Sequence, residues 1–528
     1  MRAARAGSDP KPPCSAYALA RGRLGGIYAT NGASLIFGYD GGLLTNLTQS
    51  GVITGRMSYS YNNDFRISSV ELGGSAVAYG YDLDGLLTNA GTMTLYRDTV
   101  SGWLTNAVVG DIGDRRKYNA LGEMSSYEAV FDNDYVYYGV DYSYDKLGRI
   151  TNRLERIEGV TNNYAYVYDS VGRLHEVYTN GSLRARYWYD ANGNRTNSWI
   201  AGSSRTYQYD AQDRLTASFW GLIQYQYNAN GQVTNMYGAV PTRATRYDTR
   251  GSLMEVRVGT NTYEYLLDPL GRRVGKKVNG VLNKGWVYQG FLTPAAEVNS
   301  NNQVVARFVY ATRVNVPDYM VTTGNVYRII TDHLGSVRLV IDVASGDVVQ
   351  RLDYDEWGNV LQDSNPGFQP FGFAGGLYDP DTGLTRFGYR DYDPTTGRWL
   401  AKDPILFRGG QANLYVYIGN DPVNKFDPYG TGEEVKLFFQ DIQEIIIDST
   451  KKEIEIIYHL IDDTIDKVRK GLCDAWKDVT DCVPFGFYQQ YQEYRDSLPS
   501  ATGDQAVDML NIITPILDSF TQPDFGDE

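Results

Sequence analysis

The chain has 528 residues, of which 42% are hydrophobic, 13% aromatic and 21% charged. Its 56 glycines follow no three-residue period, which excludes a collagen, and the aromatic content excludes simple disorder. No run of 18 apolar residues occurs, so no membrane-spanning helix is predicted. The formal net charge of −14 is unevenly placed: residues 433–528 carry 21 acidic and 8 basic side chains, while the remainder is close to neutral. Neither part has a broad basic field, so nucleic acid is not an expected partner. Cys14, Cys473 and Cys482 are too few for a disulfide framework and leave the redox compartment open.

In chain order, residues 1–30 come first. Their basic residues are interrupted by Asp9, Lys11 and three prolines, and no signal peptide is apparent. This stretch reads as a linker or as the truncated start of a longer repeat array.

Residues 31–330 are dominated by a repeat of about twenty residues. Tyr-Asp pairs followed by glycine recur as YDLDGLLTNAG at Tyr81, YDKLGRITN at Tyr144, YDSVGRLHEVY at Tyr168 and YDANGNRTN at Tyr189. They continue as YDAQDRLTA at Tyr209, YNANGQVTN at Tyr227, YDTRGSLMEV at Tyr247 and, beyond the main array, YDEWGNVLQ at Tyr354. Within one unit, Asp190 is placed to accept from a backbone N–H two residues on, and Gly193 to take the left-handed conformation that closes a short hairpin loop. Tyr187 and Tyr189 alternate onto one face, which is strand periodicity. The tyrosines are expected to be core and half-buried sheet residues. A row of aromatic platforms for sugars is the functional alternative. Their hydroxyls make the buried face partly polar, compatible with a wet cavity.

Residues 331–431 are punctuated by Asp-Pro pairs at Asp379, Asp393, Asp403, Asp421 and Asp427. Proline fixes its own φ and pushes the preceding residue toward extended geometry, so these are first of all turns. In Asp393-Pro394-Thr395-Thr396-Gly397, Arg390 and Tyr392 are expected on the incoming strand and Arg398 to Leu400 on the outgoing one.

Residues 432–528 change period. Ile454, Ile457, Ile461, Ile465, Val468, Leu472 and Trp476 fall on one helical stripe, predicting an acidic, mainly helical segment. Cys473, Cys482 and His459 have no metal-ligand spacing, and no cofactor or metal is expected anywhere in the chain. No nuclease, deaminase or ADP-ribosyl-transferring constellation is recognisable there.

The Tyr-Asp array, followed by GLYDPDTGLTRFGYRDYDPTTGRWLAKDPI (376–405) and NLYVYIGNDPVNKFDPYG (413–430), resembles the RHS/YD-repeat family with its RHS-associated core domain. That resemblance implies an all-β fold, with YD-repeat hairpins wound into a curved or hollow shell, here followed by a short α-helical C-terminal segment. It also implies that the shell encloses, carries or displays the variable segment as cargo, in toxin delivery or intercellular competition. The implied partners are an upstream shell or delivery component and an immunity protein, and the implied location is secreted or cell-surface. The membrane contact of a released tail is left open. By carry-over from the family's aspartate-dependent self-cleavage, the catalytic candidates are Arg390, Asp403 and Asp427, and the bond cut is Thr431–Gly432. Two positions depart from the family's DPxGL pattern: Leu406 stands where glycine is usual, and Thr431 where leucine is usual. The alternative is a non-enzymatic cell-surface adhesion or carbohydrate-binding repeat protein.

Overall fold

The computed structural model of the protein describes residues 16–20, 23–132, 134–238 and 242–432. Two compact units are distinguished: Tyr28–Ile442 with Met1–Ala16, and Tyr17–Ile27 with Gln443–Glu528. The described residues of the second fall in two short strands, Ala16–Ala20 and Arg23–Tyr28, which pair with each other.

In the larger unit, strands follow one another from Ser34–Asp40 to Val360–Asp363. Each pairs antiparallel with the next strand in sequence, from Ser34–Asp40 against Leu43–Ser50 to Val348–Tyr354 against Val360–Asp363. The Tyr-Asp turns build this meander as the sequence predicts. Asp190 Oδ1 accepts from the N–H of Asn192 at 2.9 Å and of Asn194 at 2.8 Å, and Gly193 sits at φ +79°. In the unit that lacks the glycine, Asp213 takes the same left-handed place at φ +59°.

The tyrosine has a second role. Tyr81 donates to the Ile67 carbonyl at 2.9 Å, Tyr168 to Ile150 at 2.7 Å, Tyr189 to Leu174 at 2.7 Å and Tyr209 to Arg195 at 2.9 Å. Each ring therefore latches its hairpin to a carbonyl of the preceding hairpin. The arginine four residues after the turn aspartate pairs with it, as Arg173 does with Asp169 at 2.6 Å, then lies over the next unit's tyrosine, with Arg173 4.8 Å from the Tyr189 ring centre. Ring, carboxylate and guanidinium form one repeating lock. These tyrosines are structural, and their hydroxyls are engaged inside the sheet.

The expected fold class needs correction. The described sheet is open: Val360–Asp363 pairs only with Val348–Tyr354, and no ladder joins late strands to early ones. Nor is it hollow. Leu35, Leu47, Met57 and Val70 from early hairpins pack directly against Trp286, Ala296, Phe308 and Val340 from late ones. Gln49 donates to the Trp286 carbonyl at 2.9 Å, and Arg307 to the Val70 carbonyl at 2.7 Å. The apolar faces have met and excluded the space that a hollow shell would enclose. Pockets among the described residues include ones of about 10, 30 and 30 Å³, each with room for a water or two. The helical appendage is also absent from the described fold. Among the described residues the helical pieces are 3₁₀ turns at Phe373–Gly375, Leu406–Gly409 and Ile418–Asn420. The helical stripe from Ile454 to Trp476, with His459, Cys473 and Cys482, lies outside the described residues.

Candidate functional site

After the meander the chain forms a separate four-stranded antiparallel sheet, Leu377–Asp379, Leu384–Phe387, Arg390–Asp393 and Arg398–Trp399. The Asp-Pro turns make it. Asp393 Oδ1 accepts from the Thr395 N–H at 3.0 Å, and Gly397 closes the turn at φ +66°. Asp393 also pairs with Arg243. Burial pushes its carboxyl up, but Arg243 and the Thr395 hydroxyl outweigh this and hold it below the ordinary carboxylate range. Its duties are structural.

Asp421 caps its own Asp-Pro turn, accepting from the Asn424 amide nitrogen at 2.7 Å. It is 3% exposed, and burial pushes its carboxyl up to about 6, against the opposing pull of Asn424 and Lys425. The charged form is thus disfavoured in the fold above about pH 6, and the penalty fades as pH falls toward the ordinary value of 3.8. Asp421→Asn keeps the acceptor oxygen. It is expected to stabilise the protein by about 1–3 kcal/mol at pH 7.5 and by less than half as much at pH 4.5, as read by urea unfolding.

The three predicted catalytic residues are brought together. Arg390 reaches from its strand to both carboxylates through one nitrogen, Nη2, at 2.9 Å from Asp403 Oδ2 and 3.1 Å from Asp427 Oδ2. Arg390, Asp403, Asp427 and Thr431 are all buried, with Asp427 at 0% exposure. Burial pushes the guanidinium pKa down, and the two carboxylates only partly restore it. The remaining donors of Arg390 bind backbone: Nε to the Gly430 carbonyl at 2.5 Å and Nη1 to Leu414 at 3.3 Å.

Asp427 wraps the segment it precedes. Its Oδ1 accepts from the N–H of Gly430 at 2.8 Å and of Thr431 at 3.1 Å, and its Oδ2 from the N–H of Gly432 at 2.7 Å. The nitrogen of the Thr431–Gly432 bond therefore touches one carboxylate of the pair. Asp403 lies beside the same bond, since a Cβ added to Gly432 would stand 2.9 Å from its Oδ2.

Three residues that sequence reasoning passed over complete the site. The Trp399 ring carries the Arg390 guanidinium at 4.0 Å. Gly409 approaches so closely that a Cβ there would lie 2.7 Å from the Thr431 carbonyl oxygen and 2.9 Å from Asp403 Oδ2. Gly388 lets its backbone pass under Tyr429, whose carbonyl accepts from the Tyr389 N–H at 2.8 Å. Trp399 lies inside the quoted GRWL run, which gave the signal; Gly409 sits in a plain Arg-Gly-Gly run with none. Leu406, standing in the usual glycine position, adopts φ +54°, the left-handed conformation that glycine takes without strain.

Comparison with known proteins agrees with this architecture. The family described as Teneurin YD-shell matches residues 27–423. Teneurin-4 of Homo sapiens is 26% identical over 420 residues, covering 76% of this chain and 15% of that protein. Double-stranded DNA deaminase toxin A of Burkholderia cenocepacia is 29% identical over 310 residues, 55% of this chain and 20% of the toxin. The Photorhabdus luminescens Tc holotoxin pore superposes with a TM-score of 0.58 at 15% identity, over 80% of this chain and 24% of that one. The chain thus spans about a quarter or less of the length of these relatives. With three quarters of its length inside one family's boundaries, and with the YD hairpins and their tyrosine latches in place, this chain belongs to the teneurin YD-shell family.

Proposed function

We propose that this chain is a YD-shell scaffold that carries residues 432–528 and frees them by cutting its own Thr431–Gly432 bond. The observation behind this reading is the single Arg390 nitrogen bridging two buried carboxylates, one of which also holds the Gly432 N–H. Asp403 takes a proton from water, whose oxygen adds to the Thr431 carbonyl carbon. The proton Asp403 has taken passes to the Gly432 nitrogen as the C–N bond breaks, while Asp427, which accepts that nitrogen's N–H, holds the bond in place. Arg390, fixed on the Gly430 carbonyl, orients the peptide for attack. The products are a carboxylate at Thr431 and an amine at Gly432.

The chain's likeness to a deaminase toxin and to a Tc holotoxin supports a setting in toxin delivery or intercellular competition. In that setting the chain is secreted or cell-surface, works with an upstream shell or delivery component, and has its tail restrained by an immunity protein. The scaffold displays or carries the tail, since its own interior is filled.

The sequence comparisons favour a second reading, a non-enzymatic cell-surface adhesion protein, through the match to Teneurin-4 and the family boundaries. A surface feature supports it. Phe65, Leu83, Val100, Leu121, Leu147 and Val171 are exposed at the tips of successive Tyr-Asp-type turns, which the up-and-down topology places along one sheet edge. In this reading the Arg390 cluster is a lock that holds the last strand end in place.

Tags at both ends decide between the two. Under folding conditions, self-cleavage is expected to release a fragment beginning at Gly432, absent in D403N and retained in T431A, which lacks the hydroxyl needed for a threonine-led attack on Gly430. An intact wild-type chain would remove the processing reading and leave the adhesive one.

A further inference from the structure

A pocket of about 30 Å³ lies between the hairpin residues Arg272, Arg273 and Tyr288 and the later residues Arg386, Gly388 and Pro428. Its lining contains three arginines and no carboxylate. Their side chains are 3%, 3% and 2% exposed. Two acids stand behind them. Asp268 pairs with Arg272 at 2.6 Å, and Asp391 divides its oxygens between Arg273 at 2.6 Å and Arg386 at 2.7 Å. Three guanidiniums thus meet at the pocket with two carboxylates behind them, and Asp379 adds a further pull on Arg273.

The directional chemistry agrees with the charge. Arg273 Nε and Arg386 Nε are buried donors with no acceptor in the protein. Buried donors of this kind are ordinarily satisfied, and a charged donor more than others. The Tyr265 ring lies 3.5 Å from the Arg273 guanidinium and the Tyr288 ring 4.9 Å from that of Arg272. They attract the cations through their faces without accepting an in-plane N–H.

We propose that this pocket is a binding site for one halide-sized inorganic anion, chloride under ordinary conditions. The volume leaves room for a small inorganic ion. The arginine lining favours a negative charge, and the two unmet N–H groups supply the donors. Because Arg272 and Arg273 come from the meander and Arg386, Gly388 and Pro428 from the segment that follows it, the anion ties the two together. This site stands independently of the processing reading.

The test uses the full chain in sodium chloride, sodium bromide and sodium gluconate at equal ionic strength. Chloride and bromide are expected to raise the melting temperature over gluconate by about 1–3 °C, saturating as one site fills. A crystal soaked in bromide is expected to show an anomalous peak within hydrogen-bonding reach of Arg273 and Arg386. Arg386→Leu removes one of the three cations and one of the two unmet donors, and is expected to abolish the halide dependence. Should that variant not fold, the wild-type melts and the anomalous map decide by themselves. Equal melting in all three salts, or bromide found at the surface with none in the pocket, overturns the proposal.

Discussion

Arg390→Leu is expected to abolish release of the tail and to lower stability by about 3–5 kcal/mol. The size follows from what the guanidinium leaves behind. Asp403 and Asp427 are 5% and 0% exposed and meet on one Arg390 nitrogen. Without it, two buried carboxylates face each other with no cation between them. The Gly430 carbonyl loses the Arg390 donor, the Leu414 carbonyl keeps only the Asp403 N–H, and the Trp399 face loses the cation it carries. Lysine keeps the charge but not the fork: Arg390 binds two carboxylates and two carbonyls in different directions, which an ammonium on one stem cannot reproduce. R390K is therefore expected to recover part of the stability and little of the processing. Urea unfolding gives the first quantity and the tagged-fragment ratio the second. The two part company if the site is only a lock, for then the wild type shows no fragment while R390L still loses its stability.

Gly388→Ala carries the second large effect, a loss of about 2–4 kcal/mol. Gly388 sits at φ +40°, and an added Cβ would meet the Tyr429 carbonyl oxygen at 2.2 Å and its carbon at 2.7 Å. Those are backbone atoms with no rotamer to give way. The Tyr389 N–H bond to Tyr429 would have to break, and with it the seat of the 427–432 segment. Gly383 is the control. It sits at φ +70° with nothing within 4 Å of its added Cβ, so G383A is expected to cost only about 1 kcal/mol. Equal losses for the two variants would show that contact with Tyr429 is not what fixes the segment.

Much of this could be read from the residues. The turn chemistry of Asp190 and Gly193 is local, involving atoms a few residues apart, and local geometry follows from residue type. The meeting of Arg390 with Asp403 and Asp427 was reached by resemblance; no spacing rule places atoms 13 and 37 positions apart within 3.1 Å of one nitrogen. The tyrosine latch escaped because its acceptor is a main-chain carbonyl. Tyr189 reaches back to Leu174 and Tyr81 to Ile67, and a carbonyl leaves no mark in residue identity. The filled interior escaped for a related reason. An alternating strand announces that one face is apolar, but not whether that face will line a cavity or meet another strand. That Gln49 would bind the Trp286 carbonyl is decided by the course of the whole sheet. Gly409 gave no warning because its importance is the absence of a side chain beside Thr431.

The tyrosine latch has a consequence for how such a chain can change length. Each hydroxyl reaches one hairpin back and no further, so an inserted or deleted pair of strands rebuilds the same junction on either side of the seam. Duplication in whole repeats is thereby nearly neutral for the neighbours, whereas gain or loss of a single strand would reverse the direction of every later strand and carry its turns to the opposite end of the sheet. A gene of this kind is free to grow or shrink in steps of about twenty codons, and the even count of strands per step is what selection would guard.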